Sequence, residues 1–307
     1  CVKFVQPSLM VRDNWNFTAN PFEATLTPAS FYCGQPQEEV LARLEWICQE
    51  RQRFAIVVGA EGVGKSHLST TALRRMSGLG AETVLLSLRG IPEGEWLPLL
   101  LERFPLDYAS RCESITNWQK LENRLRENRL MERPTVILVD DLDRAPADAV
   151  AGIERLVNSA EPRFSWTTVV GTATASSVEN IPHSLRNQAA MRVHLDPWDK
   201  DDVYAFLSTA ITRVGGDPAI IPSATADTVA RFAGGLPRLV SRLTHLSLAA
   251  AAGEGIPHVD SSTVERVWRE LDPVNASHDS ITRTDGGHSG RLEPSGGRVR
   301  AVRKLFE

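Results

Sequence analysis

Cysteine is scarce in this chain: Cys1, Cys33, Cys48 and Cys112 are the only four among 307 residues, and none stands in C-x-x-C spacing. That pattern excludes a thiolate zinc site and a disulfide scaffold, and it reads as the reduced thiols of a cytoplasmic protein. The seven histidines show no H-E-x-x-H spacing, which leaves them without a ligand role. No apolar run approaches the roughly 18 residues of a membrane span, and Leu246–Ala252 is short enough to read as buried helix. The N-terminus lacks the charged and apolar regions of a signal peptide, and its start at Cys1 suggests a processed or truncated chain. Positive charge is not in excess either: 34 Lys and Arg face 38 Asp and Glu, for a net charge of −4. A strongly basic nucleic-acid binder is thereby excluded, though not a local basic patch.

What is present is the composition of a soluble globular protein, long enough for one large or two ordinary domains. Within it, Gly59-Ala60-Glu61-Gly62-Val63-Gly64-Lys65-Ser66 fits the pattern G-x-x-x-x-G-K-[ST]. Its context matters more than the string. Arg53–Val58 before it is a short apolar run suited to a buried parallel strand, and His67–Arg75 after it continues as a helix. Strand, glycine-rich loop and helix follow in the order a phosphate cradle needs. The glycines let backbone N–H groups wrap an anion, and the helix N-terminus adds its own donors and positive dipole end. The segment from Gly59 to His67 therefore reads as a nucleotide-binding loop, with Lys65 reaching the β- and γ-phosphates and the Ser66 hydroxyl on Mg²⁺.

A second anchor is Pro134–Asp141, where Val136, Ile137, Leu138 and Val139 end in Asp140 and Asp141. An apolar strand ending in acids puts carboxylates at the C-terminal edge of an open α/β sheet, where ligands sit. Asp140 is expected to bind Mg²⁺ through water, as a Walker B aspartate does, and Asp141 to orient the attacking water. Trp166–Thr172 is a further strand, and Thr172 at its tip would contact the γ-phosphate or the water; a β-branched residue at a strand end is the plainer alternative.

Along the rest of the chain, residues 1–35 read as irregular, with Pro7, Pro21 and Pro28 and with aromatics that either shield an adenine ring or simply pack. A helix over 37–50 presents Val40, Leu41, Leu44 and Ile47 on one face. Strands are expected at Glu82–Leu88 and Ala190–Leu195, and helices near 94–103, 114–129 and 183–188. The charges of 114–129, with Glu122 and Arg126 at i,i+4, suit a solvated face. Strands alternating with helices make residues 36–197 a doubly wound parallel α/β domain. Residues 198–271 turn wholly helical, with Ser261 or Ser262 expected to cap the last helix. Residues 272–307 have a composition that predicts disorder, and their basic end from Arg298 to Lys304 suits a solvated tail or a contact with nucleic acid.

The succession of P-loop, Walker B strand, polar strand tip and helical lid resembles the AAA+ ATPases. Gly234-Gly235-Leu236-Pro237-Arg238 is similar to their sensor 2 motif, in which Arg238 would point back at the γ-phosphate. Pro21-Phe22, Phe31-Tyr32 and Asp196-Pro197-Trp198 resemble elements of the ExeA/GspA-like secretion ATPases, a group that also takes in transposition ATPases of the TniB/TnsC kind. The likeness spans residues 15–271. It departs where that group carries Asp-Glu-Ala, since this chain has Asp140-Asp141-Leu142-Asp143. Aspartate is one methylene shorter than glutamate, so turnover would be slow or dependent on a partner.

The resemblance implies an ATPase using ATP and Mg²⁺, acting as a switch or motor on a protein or DNA partner. An arginine finger would fall at Arg186 or Arg192 and would act in trans, which implies a homo-oligomer. A STAND-like switch with little turnover and a DNA-dependent transposition or replication ATPase are the alternatives left open.

Overall fold

The computed structural model describes residues 11–12, 14–22, 31–105, 116–161 and 164–271. Cys1, Cys112 and the tail from 272 onward lie outside these described residues. The chain divides into two compact units, Leu26–Pro197 and a second made of Cys1–Thr25 with Trp198–Glu307.

In the first unit, helix α1 (Gln35–Gln49) leads into β1 (Phe54–Gly59), then α2 (Lys65–Gly78), β2 (Glu82–Ser87), α3 (Trp96–Glu102), α4 (Asn117–Leu130), β3 (Thr135–Asp140), α5 (Ala147–Ser159), β4 (Thr167–Thr174), the short α6 (His183–Arg186) and β5 (Met191–Leu195). Among the described residues these five strands form one sheet in the order β2-β3-β4-β1-β5, and every neighbouring pair is parallel. The sequence predicts a parallel α/β sheet, and that is what forms. The three inner strands are buried along their whole length, whereas β2 and β5 at the edges alternate. Helices on both faces bury a parallel sheet's interior, which is why the inner strands read as unbroken apolar runs.

The register brings the site residues level. Ser87 pairs with Asp140, Val139 with Gly171 and Gly59 with Thr174. Strand β4 is thus wedged between the P-loop strand and the acid strand, with its threonines between the two. Gly171 matters for this seating: a Cβ there would lie 2.7 Å from Leu142 Cδ2, so a larger residue would push the side chain of the turn after the acids off β4. Gly152 in α5 does the same for Trp96, whose ring would be 2.0 Å from an added Cβ.

Helix α4 corrects the expectation of a purely solvated charged face. Thr116 and Gln119 form a reciprocal capping box at its start. Arg124, however, turns inward onto the buried Glu82 at the foot of β2, with bonds of 2.9 and 2.5 Å. Asn128 Nδ2 donates to the same carboxylate at 3.1 Å, and Arg133 stands 3.1 Å from it. Glu122 pairs with Arg155 rather than with Arg126.

The second unit contains α7 (Lys200–Arg213), α8 (Ser223–Ala233), α9 (Pro237–Glu254) and α10 (Ser261–Leu271). The cap of α10 is Asp260, not Ser261 or Ser262: its carboxylate accepts the Thr263 N–H at 2.8 Å and the Ser262 hydroxyl at 3.0 Å. Those bonds hold the Asp260 carboxyl below its usual range. The described part of the N-terminal segment is packed here rather than irregular. Val11, Trp15, Phe17 and Phe22 are buried, Thr18 N–H donates to Val214 O at 2.9 Å, and the Phe22 ring lies 5.9 Å from that of Phe206.

Candidate functional site

The phosphate loop leaves β1 at Gly59, where a Cβ would come within 2.9 Å of both Leu195 O and Val63 Cγ1. Gly62 and Gly64 take φ of 82° and 100°, a region that L side chains rarely enter. Gly64 is the N-cap of α2, so the first-turn N–H groups of Lys65, Ser66 and His67 belong to a helix N-terminus at the C-terminal edge of the sheet. His67 is stacked on Phe31, with centroids 6.3 Å apart and planes at 22°. Of the aromatics expected near a base, Phe31 is therefore beside the loop, while Phe22 is part of the helical unit's core.

Lys65 is buried, and its ammonium donates to Gly59 O at 3.0 Å and Ala60 O at 2.9 Å. Burial lowers its pKa, and the charges of Asp141, Asp143, Asp140 and Glu61 work against that shift. The amine is thus poised between a dry site that disfavours its charge and four carboxylates that favour it.

Asp140 has both oxygens engaged. The Ser66 hydroxyl donates to Oδ2 and the Thr172 hydroxyl to Oδ1, each at 2.5 Å. Thr172 Oγ1 in turn accepts the Asp141 N–H at 3.0 Å. One hydroxyl therefore fixes the first acid's side chain and the second acid's backbone. The sequence points Thr172 at phosphate or water; in this structure its contacts are with the two acids. Asp141 adopts φ 56° and ψ 45°, the left-handed region that aspartate tolerates better than most residues. Burial raises its pKa, with the charges of Asp140 and Asp143 adding to the rise and those of Arg144 and Arg89 opposing it.

The donor set fits Mg²⁺. A serine hydroxyl and a carboxylate, hard oxygens already facing each other, are what that ion takes from protein when phosphates and water supply the rest. Among the described residues no three acidic, histidine or cysteine side chains form a metal cage.

Sequence reasoning missed the role of Asp143. Its side chain is buried, its Oδ2 accepts from the Ser177 hydroxyl, and its main-chain oxygen accepts from Asn180 Nδ2 at 3.3 Å. The acid at the third place after Asp140 was visible, but its partners after β4 were not.

Arg186, Arg192 and Arg238 are the remaining predicted residues. Arg186 is largely buried, with Nε bonded to Ile181 O at 2.9 Å and an ion pair to Glu179 at 2.6 Å. Arg192 is exposed on edge strand β5, its Nη2 3.4 Å from Arg186 O. Arg238 is exposed in the first turn of α9, in the helical unit.

No protein-family model matches the chain. It is 23% identical over 249 residues to general secretion pathway protein A of Aeromonas hydrophila, covering 79% of this chain and 45% of that protein. The chain thus spans less than half the length of that curated relative. Among solved structures, the ORC2 protein of Aeropyrum pernix, in ADPNP–ADP complexes, aligns with a TM-score of 0.59 at 14% identity, covering 82% of this chain and 71% of that one. The ORC1 protein of the same organism, in complex with DNA, gives 0.57 at 17%, covering 84% and 71%. The Holliday junction branch migration motor RuvB of Thermotoga maritima gives 0.53 at 18%, covering 81% and 73%. The fold is that of the AAA+ P-loop ATPases, and the resemblance to the ExeA/GspA-like group is borne out in sequence by the secretion protein.

Proposed function

We propose that this chain, an AAA+ fold with a secretion-pathway relative, binds and hydrolyses ATP as a switch or motor acting on a protein or DNA partner. The observation that supports this best is the bonded set Ser66–Asp140–Thr172–Asp141, which joins the first turn of α2 to β3 and β4 beside a glycine-rich loop.

Each residue then has a task. Lys65 exchanges its two loop carbonyls for phosphate oxygens, an exchange its burial favours because the anion completes its pairing. The N–H groups of the loop and of Lys65, Ser66 and His67 cradle the phosphates. Mg²⁺ held by Ser66 and Asp140 would supply neutralising charge on the phosphates. Asp141 holds and polarises the water, and its raised pKa makes it a better proton acceptor than an exposed carboxylate. Arg238 would report the γ-phosphate from the lid. A finger supplied in trans from Arg186 or Arg192 would need a homo-oligomer; of the two, Arg192 is exposed, whereas Arg186 would have to leave Glu179 and Ile181.

A second reading, a switch that turns over rarely, is favoured by the short reach of Asp141 compared with a glutamate. DNA as the partner finds support in the likeness to an ORC1 protein solved with DNA. The test is ATP hydrolysis by the chain and by its Asp141→Asn and Lys65→Ala variants, with and without DNA. Turnover that falls at least about 100-fold in Asp141→Asn supports the ATPase. Turnover unchanged in both variants would sink the assignment. Tight binding without turnover would favour the switch, and stimulation by DNA would favour a nucleic-acid partner.

A further inference from the structure

Arg144 stands outside the motifs, yet it reaches the phosphate loop. It ends the 3-10 turn Leu142–Arg144 that follows the acid strand, and its N–H is bonded to Asp141 O at 3.0 Å. Its guanidinium Nη2 lies 3.4 Å from Glu61 Oε2, and its Nε lies 4.0 Å from Asp143 Oδ2. Its charge also acts on Asp141, opposing the rise that burial and the neighbouring acids impose there.

Two cations thus hold three consecutive residues of the loop's first arm. Lys65 takes the carbonyls of Gly59 and Ala60, and Arg144 takes the carboxylate of Glu61. Both sets of acceptors are of the kind an incoming phosphate replaces. The two partners of the ion pair are not equally free to leave. The Glu61 side chain is 55% exposed against 30% for Arg144, and the Arg144 N–H is bonded to Asp141 O. An exposed pair contributes little, so the Glu61–Arg144 ion pair itself breaks at small cost. A guanidinium on phosphate gains charge-assisted, forked hydrogen bonds that a lone carboxylate at this distance does not provide.

The site's charge points the same way. Glu61, Asp140, Asp141 and Asp143 all act on the Lys65 amine, so a triphosphate enters among carboxylates and needs a cation besides Lys65 and the metal. Arg144 comes from the acid side of the site, next to the residue assigned to the water. The phosphate it meets is accordingly the terminal one.

We propose that Arg144 recognises the γ-phosphate in cis, and that Glu61 competes with that phosphate for it, so that the pair tells a triphosphate from a diphosphate. This rests on the ATP reading above.

The experiment is calorimetric binding of a non-hydrolysable ATP analogue and of ADP, both with Mg²⁺, to the full chain and to Arg144→Ala, Arg144→Lys, Glu61→Gln and Lys65→Ala. Arg144→Ala is expected to weaken the analogue by about tenfold or more while ADP stays within about threefold. Arg144→Lys should recover part of the difference. Glu61→Gln should tighten the analogue by up to about fivefold and leave ADP alone. Equal losses for both nucleotides in Arg144→Ala, or no loss, would overturn the proposal while leaving the ATP reading intact, provided Lys65→Ala abolishes binding. If Arg144→Ala does not fold, an unchanged analogue affinity in Glu61→Gln overturns it. A wild-type chain that binds neither nucleotide removes the ATP reading and this proposal together.

Discussion

Thr172 is where the two acids of the site are tied together. Its hydroxyl donates to Asp140 and accepts from the Asp141 backbone, so removing it loosens at once the proposed metal ligand and the proposed water-orienting group. Thr172→Val keeps the shape of the side chain and deletes both bonds. Groups that orient the residues around a metal typically matter by about 10–100-fold, and turnover is expected to fall by that factor. The buried Asp140 oxygen and Asp141 N–H left without a partner should also cost about 1–3 kcal/mol of stability. Steady-state kinetics together with urea unfolding check both; a variant with unchanged kcat would show that the hydroxyl positions nothing. At this scale the sequence was readable where chemistry is contiguous. Glycines 62 and 64, Lys65 and Ser66 announce themselves because loop, lysine and helix start are adjacent in the chain. Asp140 announces itself because an apolar run ends on it. The Asp143–Ser177 bond and the Glu61–Arg144 pair join residues 34 and 83 positions apart, and no local pattern encodes such a meeting.

Among the elements, α4 shows how a charge pattern misleads. Mixed charges at i,i+4 spacing suggest a solvated face, but Arg124 reaches a carboxylate 42 positions away at the buried foot of β2. Burial pushes the Glu82 carboxyl up, yet the hydrogen bonds from Arg124 and Asn128 and the charges of Arg124 and Arg133 outweigh it, and its pKa ends below the ordinary value. A carboxylate with a depressed folded pKa contributes stability that is present above its unfolded pKa of about 4.3 and is lost as pH falls through the lower folded value. The wild type is therefore expected to lose stability below about pH 4.3, and Glu82→Gln to show a flatter profile there. At neutral pH the same substitution leaves Arg124 half-paired in a nearly buried place, a loss of about 3–5 kcal/mol by the usual cost of breaking a buried pair. Denaturant midpoints measured from pH 7 to pH 3 decide it: parallel profiles for the two proteins would mean that Glu82 is not the titrating group. The five strands were legible to within a residue or two because inner strands are unbroken apolar runs, and most helices to within three because they carry one apolar face, but α5 (Ala147–Ser159) was not read from the sequence at all. The cap of α10 was not, since Asp260, Ser261 and Ser262 are all good caps and only the backbone geometry selects among them.

At the scale of the whole chain, the P-loop-to-lid order was readable, but the company kept by the first residues was not. Residues 11–22 carry proline and scattered aromatics with no period, so sequence reads them as irregular. In the structure they complete the helical unit, whose other residues begin at Trp198. Phe17 is the clearest case: it is buried, and an added Cβ on Gly216 would lie 2.3 Å from its Cε1, so glycine is required for the ring to fit. Thr18 is bonded to Val214 through both its N–H and its hydroxyl, and Arg213 Nη2 donates to Pro21 O at 3.0 Å. A segment held this way stabilises the end of α7, and Phe17→Ala should cost the helical unit about 3–5 kcal/mol. The damage should be local, because the contacts of Phe17 belong to that unit and the parallel sheet has its own core. Hydrogen exchange followed by mass spectrometry is the measurement suited to this, since it resolves the two units separately. Amides of residues 206–216 are expected to lose protection in the variant while those of β1, β3 and β4 keep theirs, with ATP binding retained. Equal loss of protection in the sheet would mean that the two units open as one, and the N-terminal segment would then be a determinant of the stability of the entire chain.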